Sequence, residues 1–248
     1  MNNIKLEKII NKKLNSNKYK DNIFNGLQIE GKKEINKIIT GVSICEDLIK
    51  IAILKKADAI IVHHGMFWNK ENKVINGIKR KRLKLILSNN INLYCWHLPL
   101  DCDEKIGNNV QIAKKLDIKI MGKINYLLLW GIFKNSISYE NLSNTIKKLY
   151  FRKPFFYKNN NINHKIKKIS WCSGKGQNLI LDAANFGIDA FLTGEVSEET
   201  VHYANENNIY FFSAGHHATE IDGIKKLGEW LNKKYYIDVN FVNINNPI

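Results

Sequence analysis

The chain has 248 residues, 44% hydrophobic, 25% charged and 10% aromatic, with a formal net charge of +15. That length suits one large domain or two small ones, and that apolar content excludes a disordered chain. The longest apolar runs, such as Ala59-Ile60-Ile61-Val62, are too short to cross a bilayer, so a membrane-spanning chain is not expected.

The first residues, Met1-Asn2-Asn3-Ile4-Lys5-Leu6-Glu7, lack the apolar core of a signal peptide. They read as the start of an amphipathic helix with Ile4, Ile9, Ile10 and Leu14 on one side, and a cytoplasmic location is the expectation. Asn25-Gly26-Leu27-Gln28 reads as a turn leading into a strand. Residues 38–42 are a predicted strand, 45–56 a helix, 59–62 a strand, 79–89 a helix and 91–96 a strand, followed by a helix over about 107–116. The order then returns: strand 166–172, helix 178–186, strand 189–193, helix from about 198 to 207, and strand 209–213. Alternation of this kind predicts an α/β fold.

The second series answers the first residue by residue in places. Asp58-Ala59-Ile60-Ile61-Val62 corresponds to Asp189-Ala190-Phe191-Leu192-Thr193, and Asn90-Ile91-Asn92-Leu93-Tyr94 to Asn208-Ile209-Tyr210-Phe211-Phe212. The expectation is a degenerate internal duplication giving two similar α/β lobes, 1–125 and 126–248. The last segment, about 222–248, is expected to pack back on the first lobe.

The positive charge invites a nucleic-acid reading. It is spread along the chain, however, and Lys, Asn and Ile dominate wherever the sequence looks unconstrained, as in Lys158-Asn159-Asn160-Asn161-Ile162-Asn163. Such a bias is what an AT-rich genome produces, and that is the stronger reading, so DNA is only weakly supported. Cys45, Cys95, Cys102 and Cys172 form no Cys-x-x-Cys pair and are expected as free thiols.

Five of the seven histidines, His63, His64, His97, His216 and His217, fall at the ends of predicted strands, where ligand sites of α/β sheets gather. Neighbouring side chains of a strand point to opposite faces, so His63 and His64 can serve one site only if the strand breaks, and Gly65 supplies a break. From there the two rings could diverge, one to each of two ions. His97 and His216 each have a carboxylate four residues on, Asp101 and Glu220. Helical spacing would bring His216 and Glu220 onto one face. Pro99 argues against an ordinary helix between His97 and Asp101, so a loop is expected to position that pair. Imidazole with carboxylate suits zinc, iron, manganese, nickel or cobalt alike. The competing reading of Asp101 and Glu220 is a helix cap or a surface charge.

Asn25-Gly26-Leu27-Gln28, His63-His64-Gly65-Met66-Phe67-Trp68, Trp96-His97-Leu98-Pro99-Leu100-Asp101 and Gly215-His216-His217-Ala218-Thr219-Glu220 together closely resemble the Nif-three-like dinuclear-metal family. Its members are also called GTP cyclohydrolase 1 type 2 homologues, and the bacterial YbgI type is the nearest form. The resemblance, from about Leu6 to Pro247, implies a two-lobed α/β fold and a homohexamer built as a trimer of dimers. It also implies two divalent ions held by His63, His64, Asp101, His216 and Glu220, with Glu220 bridging. His97 and His217 would then lie behind the ligands, orienting them or moving protons. Many members carry a histidine five residues after the glycine matching Gly194; here that place is Glu199 and the nearest histidine is His202, so no role attached to that histidine transfers. Three functions follow as expectations: a GTP cyclohydrolase-like hydrolase acting on a nucleotide, a metal-dependent phosphoesterase, or a non-enzymatic ring that handles metal or DNA.

Overall fold

The computed structural model describes residues 1–159 and 164–248. The chain forms two compact units, Met1–Gly107 with Ile221–Asn245, and Asn108–Glu220 with Asn246–Ile248.

The first unit opens with α1 (Asn3–Leu14), whose free N–H groups at Ile4 and Lys5 are capped by the Asn2 side chain. It buries Leu6, Ile10 and Leu14, one residue per turn, and ends where Asn15 turns left-handed at φ 51°. Then follow β1 (Gly26–Ile29), β2 (Lys37–Ser43), α2 (Glu46–Leu54), β3 (Ala59–His64), α3 (Gly77–Ser88), β4 (Asn92–Cys95) and the short α4 (Leu98–Cys102). Strands β2, β3 and β4 are parallel, and β1 closes one edge antiparallel to β4.

The second unit contains α5 (Asn108–Lys115), β5 (Ile118–Lys123), β6 (Leu129–Ile137), α6 (Tyr139–Tyr150), β7 (Phe155–Tyr157), β8 (Ile166–Trp171), α7 (Ile180–Asn185), β9 (Ala190–Thr193), α8 (Glu198–Glu206), β10 (Tyr210–Ser213) and α9 (His216–Thr219). Its six-stranded sheet runs β5-β6-β8-β9-β10-β7, with β8, β9 and β10 parallel. The chain then returns to the first unit as α10 (Ile221–Tyr235) and β11 (Asp238–Phe241), the latter pairing parallel with β2 to complete a five-stranded sheet.

The two units repeat one plan: a helix, a strand that pairs antiparallel at the edge, and three parallel strands joined by two helices. One side-chain device recurs with it. Asp58 accepts the backbone N–H groups of Asn36 and Lys37 at 3.0 and 3.1 Å. Asp189 accepts those of Lys167 and Lys168, both at 2.8 Å. Each carboxylate thereby pins the start of one parallel strand to the start of the next. Asn90 and Asn208, both at φ 52°, then make the same left-handed turn ahead of β4 and β10.

Alternate residues of the parallel strands load two cores per sheet, as expected for strands covered on both faces. In the first unit Ile38, Ile61, Tyr94 and Trp96 pack with Leu6, Ile10, Leu227 and Leu231, while Ile39, Ile60, Val62 and Leu93 pack with Leu48, Ile49 and Ile86. In the second, Ile169, Trp171, Leu192 and Phe212 meet Leu142 and Ile146, while Phe191 and Phe211 meet Ile180, Ala183 and Ala204. Each fully buried Ile, Leu or Phe contributes about 1.5–3 kcal/mol, so the strand ends stand on a stiff base.

The predicted parallel strands and the helices between them are all present, displaced at their ends by at most two residues. The His97–Asp101 segment differs from expectation: it is the helix α4, with Pro99 in its first turn. A proline there gives up an N–H that has no acceptor in the first turn anyway, so the ring that would break a helix interior is accommodated. Among the described residues no helix is long and apolar enough to cross a membrane.

Candidate metal centre

Each unit carries a cluster of donors at the carboxyl ends of its parallel strands. In the first unit β3 delivers His63 and His64. The strand ends at Gly65, where a Cβ would run into the Gln28 side chain. That side chain accepts the Met66 N–H and donates to the Phe24 carbonyl, both at 2.8 Å, so the loop after the histidines is clamped. The His63 and His64 rings stand 4.6 Å apart between centroids, and His97, one residue beyond Trp96, lies 5.0 and 5.5 Å from them. The ligand atoms of the three histidines fall within 4.8 Å of one another. Asp101, in α4, is buried, and its Oδ1 is 3.5 Å from His63 Nε2.

The outward nitrogens of these rings are engaged. His63 Nδ1 donates to the Trp96 carbonyl at 3.0 Å, which leaves the lone pair on Nε2. His64 Nδ1 meets Ser43 Oγ at 2.9 Å, and His97 Nδ1 meets Asp21 Oδ1 at 2.8 Å. Metal-binding imidazoles are oriented this way, by a carbonyl, hydroxyl or carboxylate on the nitrogen turned away from the ion. Burial alone would raise the Asp21 carboxyl, but the hydrogen bond and charge of His97, with donors from Asn25 and the Leu98 N–H, hold it at about 2. Burial pushes the Cys95 thiol up, so it stays a neutral donor to the His63 carbonyl rather than a thiolate ligand.

In the second unit the donors are His216 and Glu220, in α9 and at its end. His216 lies between two carboxylates: its Nδ1 meets Glu195 Oε1 at 2.6 Å and its Nε2 is 3.2 Å from Glu220 Oε2. Burial would lower this imidazole, but the hydrogen bond and charge of Glu220, then of Glu195, raise it to about 9. Gly174, at φ 61°, forms the floor of this cluster. A Cβ there would overlap the Glu220 carboxylate and come within 3.1 Å of His216 Nε2. The Gly174 N–H donates to Thr219 Oγ1 at 3.0 Å and its carbonyl accepts from Thr193 and Gly194, which ties the floor to α9 and β9. His217, nine-tenths buried beside His216, donates its backbone N–H to the Ile248 carbonyl at 2.9 Å.

The remaining histidines lie elsewhere. His202 is exposed on α8, and His164 is half exposed, 3.8 Å from Asp189. Asp21, Ser43, Glu195 and Gly174 were not singled out from the sequence. The one available signal was the polar run Asp21-Asn22 ahead of Asn25-Gly26-Leu27-Gln28; nothing local distinguishes Ser43 or Glu195. Asn25 is more than a turn former, since its Oδ1 accepts the His97 N–H at 2.7 Å.

His63, His64, Asp101 and Glu220 are thus candidate metal-binding residues, as are His97 and His216. The donor set fits a divalent cation chemically: imidazoles oriented by neighbouring side chains or carbonyls, carboxylates, and no thiolate.

A profile of the Duf34/NIF3 (NGG1p interacting factor 3) family matches residues 1–247. A protein of Buchnera aphidicola subsp. Schizaphis graminum, named GTP cyclohydrolase 1 type 2 homolog, is 58% identical over 248 residues, the whole of both chains. One of the same name from Escherichia coli K12 is 48% identical over 247 residues, again covering both chains fully. A solved structure described as protein ybgI, of unknown function, superposes with a TM-score of 0.98 at 48% identity over 100% of each chain.

Proposed function

The chain belongs to the Duf34/NIF3 family, and from that premise we propose that it is a metal-dependent hydrolase that binds a pair of divalent ions. The observation that carries the proposal is the orientation of the imidazoles. In the first unit each ring is held at Nδ1 by a neighbour, and the three ligand atoms gather within 4.8 Å. A packed core has no use for three such rings beside a buried aspartate.

His63, His64, Asp101, His216 and Glu220 would hold the ions. When bound, the pair supplies Lewis acidity and brings a water molecule's pKa toward neutrality. The chain's own residues do the rest. Asp101 and Glu220 supply the negative charge that offsets two cations, and Ser43 and Glu195 keep His64 and His216 turned inward. His97 and His217 accept and pass on the proton that the reaction releases.

The name shared by the relatives supports GTP as substrate. In this reading one water adds to C8 of guanine and the C8–N9 bond breaks, which opens the ring and leaves a formamide on N7. A second water hydrolyses the C8–N7 bond to release C8 as formate. The net charge of +15 suits a triphosphate, and the free cysteines suit a cytoplasmic location. The assembly that goes with this reading is a homohexamer, a trimer of dimers.

Protein stripped of metal, reloaded with iron, manganese, zinc, nickel or cobalt and given GTP is expected to bind two ions per chain and release formate. Two bound ions without formate from any of these metals would retain the centre but remove GTP as substrate; nucleotide phosphodiesters would then be tried. Failure to bind two ions would end the proposal.

A further inference from the structure

We infer that Asp21 is the positioning residue of His97, fixing its ring as the Nδ1–H tautomer so that the Nε2 lone pair faces the His63–His64 pair. The inference rests on the proton-transfer role proposed for His97, because only a ring with its lone pair directed into the cluster can take up a proton there.

The hydrogen bonds around Asp21 carry the argument. Its side chain is 3% exposed and accepts four donors, the full capacity of a carboxylate. Oδ1 takes the Asn22 N–H at 2.7 Å and His97 Nδ1 at 2.8 Å. Oδ2 takes the Leu98 N–H at 2.9 Å and Asn25 Nδ2 at 3.0 Å. A carboxylate at this low exposure cannot donate when ionised, so His97 Nδ1 must. Asn25 cannot reverse its amide to relieve the crowding of donors, because its Oδ1 is committed to the His97 N–H at 2.7 Å. Of all the partners of Asp21, only the His97 ring can exchange donor for acceptor.

That asymmetry predicts what an amide at this position does. In Asp21→Asn the single oxygen stays with the Leu98 and Asn25 donors, and the NH2 group turns toward His97. The ring must then accept at Nδ1 and carry its proton on Nε2, so the nitrogen aimed at His63 and His64 loses its lone pair. The Asn22 N–H, on the exposed side of the loop, is left to water.

The test is made on metal-free protein and reads the ring nitrogens directly. Nitrogen-15 resonances of His97, assigned by their loss in His97→Gln, are expected to show Nδ1–H in the wild type and Nε2–H in Asp21→Asn. Diethyl pyrocarbonate, which acylates the imidazole nitrogen bearing the lone pair, supplies the second readout, with half-exposed His164 as internal reference. Acylation of His97 is expected to slow by about tenfold in Asp21→Asn, the loss that follows from one charge-assisted hydrogen bond. A merely structural role for Asp21 would loosen the loop and speed the reaction. An unchanged or faster rate overturns the inference, as does an Nε2–H ring in the wild type, which needs no variant. No metal or GTP enters either measurement, so failure here and failure of the hydrolase reading are distinguishable.

Discussion

The two units follow one backbone plan to the same kind of strand end, and they load those ends with different chemistry. In the first, His63, His64 and His97 are held by the Trp96 carbonyl, the Ser43 hydroxyl and the Asp21 carboxylate, with Asp101 as the inward carboxylate. In the second, His216 stands between Glu195 and Glu220 over the Gly174 floor. One cluster is rich in imidazole and the other in carboxylate. The repeat conserves the devices that register strands, Asp58 and Asp189, and varies what projects past them. Duplication of the scaffold therefore leaves the donors free to differ.

The strongest test of this division is Glu220→Ala. If the clusters share their ions, affinity at the histidines of the first unit falls more than about 100-fold, beyond the range for losing an orienting partner alone. A competitive chelator titration measures this, and undiminished binding by the His63–His64–His97 cluster would show two independent sites.

Gly174→Ala should come next. A left-handed residue with a Cβ costs about 1–3 kcal/mol, and the methyl group also displaces the Glu220 carboxylate. Denaturant unfolding and metal titration should both register it, whereas a loss of stability with metal binding intact would mean that Glu220 is not a ligand.

Orienting partners should rank by charge. Glu195→Gln is expected to weaken metal binding by about 10–100-fold, and Ser43→Ala, which removes a neutral partner of His64, by less. Reversal of that order would contradict the contrast between the clusters. Asp58→Asn and Asp189→Asn, by comparison, should each cost roughly 1–3 kcal/mol of stability and leave metal affinity unchanged, because among the described residues both bind backbone N–H groups at strand starts and a lysine or histidine.

The smallest effect is on pH. His216 is raised from 6.5 to about 9 in the folded, metal-free protein, so its contribution is complete below pH 6.5 and fades as pH rises through about 9. The Tm difference between metal-free wild type and His216→Gln should shrink over that window. Asp21 behaves in the opposite sense: held at about 2, its contribution is present above its ordinary pKa of 3.8 and is lost as pH falls through about 2. A difference between wild type and His216→Gln that grew with pH would mean His216 is not held protonated by its two glutamates.

Much of this was legible in the sequence. Runs such as Ile38-Ile39 and Ile60-Ile61-Val62 announce strands buried on both faces, and the matched Asp58 and Asp189 segments announce the repeat. Histidines at three strand ends stand out because strand ends are where α/β sheets bind ligands. Strands β5, β6 and β7 and the helix α6 were less readable. Tyr139–Tyr150 buries only Leu142, Ile146 and Tyr150, and β7 buries no side chain fully, so neither has the dense apolar signature of the central strands.

The sequence alone determined which residue types sit at the carboxyl ends of the parallel strands, since strand, turn and donor are adjacent along the chain and local periodicity reads them together. Tertiary structure decided how those donors are aimed. Asp21 lies 76 residues from His97, Ser43 is 21 from His64, and Glu195 is 21 from His216. A hydrogen bond that fixes a tautomer depends on a separation of about 3 Å in space, and no spacing along the chain encodes it. Those distances exist only once each sheet has brought its strand ends side by side.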